Sequence, residues 1–340
     1  MTCDLMTEPY WVRAPRVFTP ATTSTAAEAV RLGDLTPAES NALGLEAVPV
    51  AASGVGPDLA VEAARLTLGD AAVNPAGLRW LFHTWTHYQG HDLWSPAHYV
   101  AHALGLDHVV PAGLYQVCNG SALGLSIAAR MVRGADEAVV TSGDRFSDDG
   151  FNRWGGDYGI AYGDGGTAAL VGKQPRHGAL RVLCTVHSAA PELELMHRGD
   201  DDLQTAPGKR GPVDARRTKR AYLSRFGRDS FAAVSAAHLT EVAQTVCDVA
   251  ADLTGQRAPA LSLGPRLGRQ AVDEIYGVPL GAITGAPHVH TSRGTGHLGA
   301  GDMIANLAAL DRRRLGDSWA LLVTSGAGFS WTAMAVTFAD

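Results

Sequence analysis

Cysteine is scarce in this chain. Cys3, Cys118, Cys184 and Cys247 are the only four among 340 residues, and their scattered spacing fits neither a disulfide framework nor a set of metal ligands. Free thiols in a reducing compartment are the expectation. Long hydrophobic runs are missing too. No stretch approaches the roughly 18 consecutive apolar residues of a membrane span, and Met1–Tyr10 has neither the basic start nor the apolar core of a secretory leader. A cytoplasmic protein without membrane contact is predicted. Positive charge is not in excess: 28 Lys and Arg stand against 34 Asp and Glu, a net charge of −6, which argues against nucleic acid as a partner. No repeat is visible by residue identity.

What is present is a chain rich enough in apolar residues, 46% of the total, to bury a large core. Hydrophobic periodicity alternates between helix and strand. Helices are predicted at 57–72, 96–104, 229–253 and 302–311, and strands at 78–82, 138–144, 180–186 and 260–263. Gly172-Lys-Gln-Pro175 interrupts this α/β alternation near the middle.

The most informative residue is Cys118. The run from Gly113 to Val132 reads as a strand turning into a helix with a thiol at the corner. A helix N-terminus carries unpaired N–H groups and a partial positive charge, which favour the thiolate, the reactive form. Asn119, Gly120 and Ser121 supply small or capping residues at the helix start, and Leu123, Ile127 and Val132 are predicted to form its buried face. The competing reading is a buried cysteine packing as a small hydrophobe. After Cys118 come the strand Ala138–Asp144, a polar loop, and the glycine turn Ala161-Tyr-Gly-Asp-Gly-Gly-Thr-Ala. Near the C-terminus stands Thr324-Ser-Gly-Ala-Gly-Phe-Ser-Trp331.

In this order, these segments resemble the ketoacyl-carrier-protein synthase III branch of the thiolase superfamily. The resemblance implies an α/β thiolase fold in which two duplicated halves, 1–173 and 174–340, stack in an αβαβα arrangement. It also implies a homodimer with the pocket built across the two-fold interface. Condensing members use a Cys-His-Asn triad, and here the pattern departs. The segment that normally holds the His aligns with Leu261-Ser-Leu-Gly-Pro-Arg-Leu-Gly-Arg269, which contains none, and the segment that normally holds the Asn aligns with Gly294-Thr-Gly-His-Leu-Gly-Ala-Gly-Asp302, which places His297 there.

A decarboxylating condensation needs two donors for its enolate, each worth about 2.7–4 kcal/mol. Acyl transfer needs only a nucleophile, an oxyanion hole and a base. The chain therefore looks like the subgroup that acts as acyltransferases in antibiotic pathways. For this chain the subgroup implies Cys118 as nucleophile, His297 as base oriented by Asp302, and an oxyanion hole from the backbone N–H groups of Cys118 and Ala327. The donor would be a coenzyme A or phosphopantetheine thioester, including an acyl carrier protein, and the acceptor a hydroxyl of a glycosylated polyketide. No permanently bound cofactor and no metal are expected. The alternatives are a carbon–carbon condensing enzyme or starter-unit loader of the same fold, and a silent scaffolding partner.

Three further features carry weaker signals. Gly294-Thr-Gly-His-Leu-Gly299 fits a dinucleotide-binding pattern, but Pro287, His288 and His290 make a poor preceding strand. His83, His87, His91, His98 and His102 recur at intervals that could line a helix. With Gly90 and Pro96 among them, a polar, aromatic rim is expected rather than a metal site. The basic run from Lys209 to Arg228, including Arg217 and Arg220, reads either as a solvated face or as a landing patch for donor phosphates. Arg266 and Arg269, in the segment lacking the His, are candidates for gripping an acyl carboxylate or a carrier.

Overall fold

The computed structural model describes residues 3–70, 73–146, 150–205, 213–311, 315 and 317–338. The first part of the chain runs β1 (Asp4–Met6), β2 (Tyr10–Phe18), β3 (Thr23–Thr25), α1 (Ala26–Leu32), α2 (Pro37–Leu43), β4 (Ala47–Pro49) and α3 (Gly56–Asp70). It continues through β5 (Leu78–Thr84), α4 (Pro96–Ala103), β6 (Val110–Leu114), α5 (Gly120–Met131), β7 (Glu137–Asp144) and β8 (Gly165–Gly172). The second part begins with β9 (Leu180–Ala189), α6 (Leu195–Arg198), α7 (Ala215–Phe226), α8 (Arg228–Thr254), β10 (Leu261–Leu263) and α9 (Arg269–Val272). It closes with α10 (Val278–Thr284), β11 (His288–Val289), α11 (Asp302–Asp311), β12 (Ala320–Gly326) and β13 (Ser330–Phe338).

Ten strands form one path, β11-β10-β12-β13-β9-β2-β8-β7-β5-β6. The path divides at the β9–β2 pairing into two sets with the same design. In chain order each set of five is arranged 3-2-4-5-1, with strand 5 antiparallel to both neighbours and strands 3, 2 and 4 parallel. Parallel neighbours need a crossover, and α4 supplies one between β5 and β6.

The layers follow from where apolar side chains go. Leu125 of α5 and Met303, Ile304 and Leu307 of α11 share one buried cluster with Val140 of β7 and Leu322 of β12, so these two helices lie between the halves. Outside the first half, Ala60 and Val61 of α3 and Val100 of α4 cover Leu81 and Val139. Outside the second, Leu239, Val242 and Val246 of α8 cover Val186 and Val323. The result is α, β, α, β, α, with burial on both sheet faces, seen in the unbroken or nearly unbroken enclosure of β7, β8 and β12.

The buried face of α5 matches the expected one only at Val132. Ala122, Leu125, Ala128 and Ala129 are enclosed while Leu123 and Ile127 are only half-buried, because small residues allow α5 to approach its neighbours closely. The glycine turn leads into a strand, as expected. Residues 161–164 form a loop, and β8 begins only at Gly165. Among the described residues, no helix is long and apolar enough to cross a membrane.

Candidate active site

The chain leaves β6 at Leu114 and turns through Val117, whose φ of +50° lies in the left-handed region. A β-branched residue held there costs on the order of 1–3 kcal/mol and persists only when its surroundings enforce it. The strained turn sets Cys118, half-buried, in the 3-10 turn Val117–Asn119 directly ahead of α5. Gly120 is needed for the close approach: a Cβ there would lie 3.0 Å from the Thr84 Cβ and 3.1 Å from that of Ala300.

Asn119 does not cap the helix, contrary to expectation. Its Nδ2 donates to Ser330 Oγ (3.0 Å) and Thr332 Oγ1 (2.9 Å), and its Oδ1 accepts from Thr324 Oγ1 at 2.6 Å. These bonds fasten the elbow to β12 and β13 of the other half. The turn joining those strands, which contains Ala327, presses against the elbow so tightly that a Cβ at Gly326 would sit 2.6 Å from the Asn119 nitrogen.

His297 reaches the elbow from the second half. Its Nδ1 lies 2.7 Å from Asp302 Oδ2, and both side chains are almost wholly buried. Asp302 is the first residue of α11, directly after the 3-10 turn Gly299–Gly301, and its carboxylate folds back. It accepts from Leu298 N at 3.0 Å and Arg266 N at 2.7 Å. With Nδ1 donating to this acceptor, Nε2 is left toward the sulfur. Nε2 makes no hydrogen bond of ordinary geometry with any described residue, yet the Cys118 sulfur is near enough to act on it. Burial disfavours a charged imidazole, but the Asp302 carboxylate and Cys118 outweigh it and raise the ring well above the ordinary histidine value. Burial likewise opposes the Asp302 charge, and His297 and Arg266 hold that carboxyl below its usual range.

Two neighbours of this pair carried no functional signal in the sequence. Tyr162 packs its ring edge-on against His297, with centroids 5.2 Å apart, and the backbones on either side exchange bonds, Gly163 N to His297 O (3.0 Å) and His297 N to Ala161 O (2.8 Å). Asp144, at the end of β7, accepts from Thr86 N and His87 N, each at 2.8 Å, and from Ala300 N at 3.0 Å. Burial pushes its carboxyl up to about 7 despite those donors. Only its place as a carboxylate closing a buried strand hinted at it.

The remaining candidates lie elsewhere or are otherwise engaged. Arg266 is buried, and its guanidinium donates to Thr291 O, Thr295 Oγ1 and Ala305 O, so it braces the His297 loop rather than facing a ligand. Arg269 is exposed at the start of α9 and donates to Asn41 O. On α7, Arg217 pairs with Asp200 and Asp201, and Arg220 donates to Tyr158 Oη; Lys209 and Arg210 fall outside the described residues. At the position of the missing histidine there is little room. A Cβ on Gly264 would meet the His288 ring at 3.2 Å.

The spaced histidines do not converge. His83 is buried between Thr141 Oγ1 and Gln89 Oε1, His87 packs on Phe146 and Phe151, and His91, His98 and His102 are exposed. Among the described residues no cluster could hold a metal. The glycine pattern at 294–299 is preceded by the two-residue edge strand β11 and followed by a 3-10 turn, which is not a dinucleotide-binding unit.

Residues 114–190 match the family model for 3-oxoacyl-[acyl-carrier-protein] synthase III. No curated protein sequence matches the chain. Among solved structures, the acyltransferase ChlB3 superposes with a TM-score of 0.86 at 25% identity, covering 97% of this chain and 98% of that one. The 3-oxoacyl-[acyl-carrier-protein] synthase III of Aquifex aeolicus VF5 gives 0.76 at 17% identity, over 96% and 99% of the two chains. The tetronic acid condensing enzyme AbyA1 gives 0.72 at 20%, over 96% and 99%. The fold is that of the synthase III and thiolase-type enzymes.

Proposed function

We propose that this chain is a ping-pong acyltransferase that carries its acyl group on Cys118 and delivers it to oxygen. The observation that carries the reading is the 2.7 Å His297–Asp302 pair at the elbow, together with the absence of any histidine in the Gly264–Arg266 segment. Thiol, imidazole and carboxylate form the nucleophile, base and orienting group that acyl transfer requires. The second donor that an enolate requires is lacking. ChlB3 is itself an acyltransferase, which favours the same class here.

In the first half-reaction, the Cys118 thiol gives its proton to His297, its sulfur attacks the donor carbonyl, and the sulfur of coenzyme A or of a carrier's phosphopantetheine departs taking that proton from His297. The backbone N–H groups of Cys118 and Ala327 hold the oxyanion. In the second, His297 takes the proton of an incoming hydroxyl, the alkoxide attacks the acyl carbonyl, and the proton returns to the departing Cys118 sulfur. The finer reading takes the Cys118 elbow and the Gly294–Asp302 run to resemble those of CerJ, the malonyl transferase of cervimycin biosynthesis. It makes malonyl the acyl group and a sugar hydroxyl of a polyketide glycoside the acceptor, with no resident cofactor and a homodimeric enzyme.

The test uses malonyl thioester labelled at the free carboxyl. Intact-protein mass spectrometry should show a malonyl adduct on Cys118 and none after Cys118→Ala, and label should persist in an ester product. Labelled carbon dioxide released with a new carbon–carbon bond would assign the chain to the condensing class, and full turnover in Cys118→Ala would end the ping-pong scheme.

A further inference from the structure

The basic run that looked like a surface feature sends one residue inward. Lys219 lies on α7 with its side chain mostly buried, and its Nζ donates to Asp157 Oδ1 at 2.5 Å. The same Asp157 oxygen accepts from Tyr158 N at 2.7 Å, and the other oxygen accepts from Tyr162 Oη at 3.0 Å. Tyr162 is the residue whose ring packs against His297. Two more bonds hold α7 to this loop: Ala215 N donates to Gly156 O at 3.1 Å, and Arg216 Nε donates to Asp157 O at 3.1 Å.

A buried carboxylate and ammonium are costly to desolvate, and replacing such a pair with apolar residues is often neutral or stabilising. Its presence two side chains from the proposed base calls for a positional explanation. An ordinary Phe at 162 would fill the same space, and the phenol adds only a hydroxyl whose acceptor is this ion pair. Burial and the adjacent Asp157 keep Tyr162 a phenol, so its Oη remains the donor. Burial works against the Asp157 charge, but Lys219 and the Tyr158 N–H keep that carboxyl below its usual range.

From this geometry we infer that Lys219 and Asp157 are positioning residues that fix the His297 ring through Tyr162, tying α7 to the proposed catalytic base. The inference rests on the Cys118–His297 reading. Charged and titratable groups face His297 from every side: Asp302 on α11, Cys118 at the elbow, Asp144 on β7 and Tyr162 on the loop before β8. Among the described residues, Tyr162 is the one of these groups whose hydrogen bonds lead through Asp157 to α7. Loss of the tether lets the ring tilt away from the sulfur while Asp302 still holds Nδ1.

The probe is iodoacetamide, which needs no knowledge of the natural acyl donor. Alkylation of Cys118 in the full chain is followed by peptide mass spectrometry from pH 5 to 10 in wild type, Tyr162→Phe, Lys219→Met, His297→Ala and the α7 surface control Arg217→Ala. Tyr162→Phe and Lys219→Met should slow alkylation at neutral pH by about 2- to 10-fold, below the ~10²-fold that an ångström of misplacement can cost. Their pH profiles should shift toward that of His297→Ala, whereas Arg217→Ala should follow wild type. Should Lys219→Met fail to fold, Tyr162→Phe, which removes a single hydroxyl, decides the matter. A Tyr162→Phe profile superimposed on wild type, with His297→Ala displaced, overturns the tether alone. A His297→Ala profile that also matches wild type overturns both the tether and the reading beneath it.

Discussion

His297 has two partners that raise its basicity, and the proposed cycle removes one of them. In the free enzyme the Asp302 carboxylate and the Cys118 sulfur both favour the imidazolium. Once Cys118 is a thioester, the sulfur carries no charge and only Asp302 remains, so the ring gives up its proton more readily when a base is needed. Replacing His297 with Ala should therefore slow ester formation by about 10²–10⁴-fold, the range of general acid–base catalysis, and slow acylation of Cys118 less. Asp302→Asn should reproduce the defect in milder form, because the amide can keep contact but can present the wrong hydrogen-bonding face to Nδ1. Single-turnover measurements of the two half-reactions separate these effects; equal losses in both would contradict the assigned role. The same pairing has a linkage consequence. A histidine raised on folding contributes stability that is complete below its unfolded value of about 6.5 and is lost as pH rises through the folded value. The melting-temperature gap between wild type and His297→Ala should narrow as the pH is raised above neutral.

At the scale of elements, the elbow is held by contacts that no local pattern announces. The helical period of 120–131 and the thiol at its start were legible because both are written within a few residues. The work of Asn119 was not, since its partners Thr324, Ser330 and Thr332 lie more than two hundred positions away and belong to the other half. The residue type suited a helix cap, and tertiary hydrogen bonding took precedence. Tyr162 was hidden for a related reason: it sits in a glycine-rich turn, and the partner it bridges, His297, belongs to the other half of the chain. Asn119→Leu should take a bond from three buried hydroxyls: Ser330 keeps Gln116 Nε2 and Thr332 keeps His187 Nδ1, while Thr324 loses its Asn119 acceptor. With about 1–3 kcal/mol for a hydroxyl left unsatisfied and about 0.5–1.5 kcal/mol for each further bond lost, a loss of roughly 2–4 kcal/mol is expected. Urea midpoints at unchanged slope would register it, and a loss below ~0.5 kcal/mol would mean the elbow is held by packing alone.

For the whole molecule, the duplication shows how a fold can persist when identity does not. Each half repeats the strand order 3-2-4-5-1 with the same parallel and antiparallel pairings, yet no repeat can be read from the residues, because a buried strand asks for apolar character and a place in the sheet rather than particular side chains. The two ends of the sheet are not equivalent. At one end lies the two-residue β11; at the other lies β6, five residues long, with Val110 half exposed and no strand paired to its outer edge among the described residues. Nearby in the chain, Leu93 is held at a φ of +47° with its side chain fully in solvent, and Trp94 and Tyr115 are also exposed. An open, partly apolar strand edge beside exposed aromatics is a liability for a monomer and a natural seam for a second copy. The proposed homodimer is therefore expected to join β6 to its two-fold mate, an isologous contact in which one substitution acts twice. Sedimentation at micromolar concentration should give a species of twice the 35.6 kDa chain mass. Val110→Lys, at an exposed position that needs no side chain for folding, should shift it toward the single chain with little change in the far-UV circular dichroism spectrum. A wild-type protein that sediments at 35.6 kDa would remove the dimer, while a dimer indifferent to Val110→Lys would place its seam on another face.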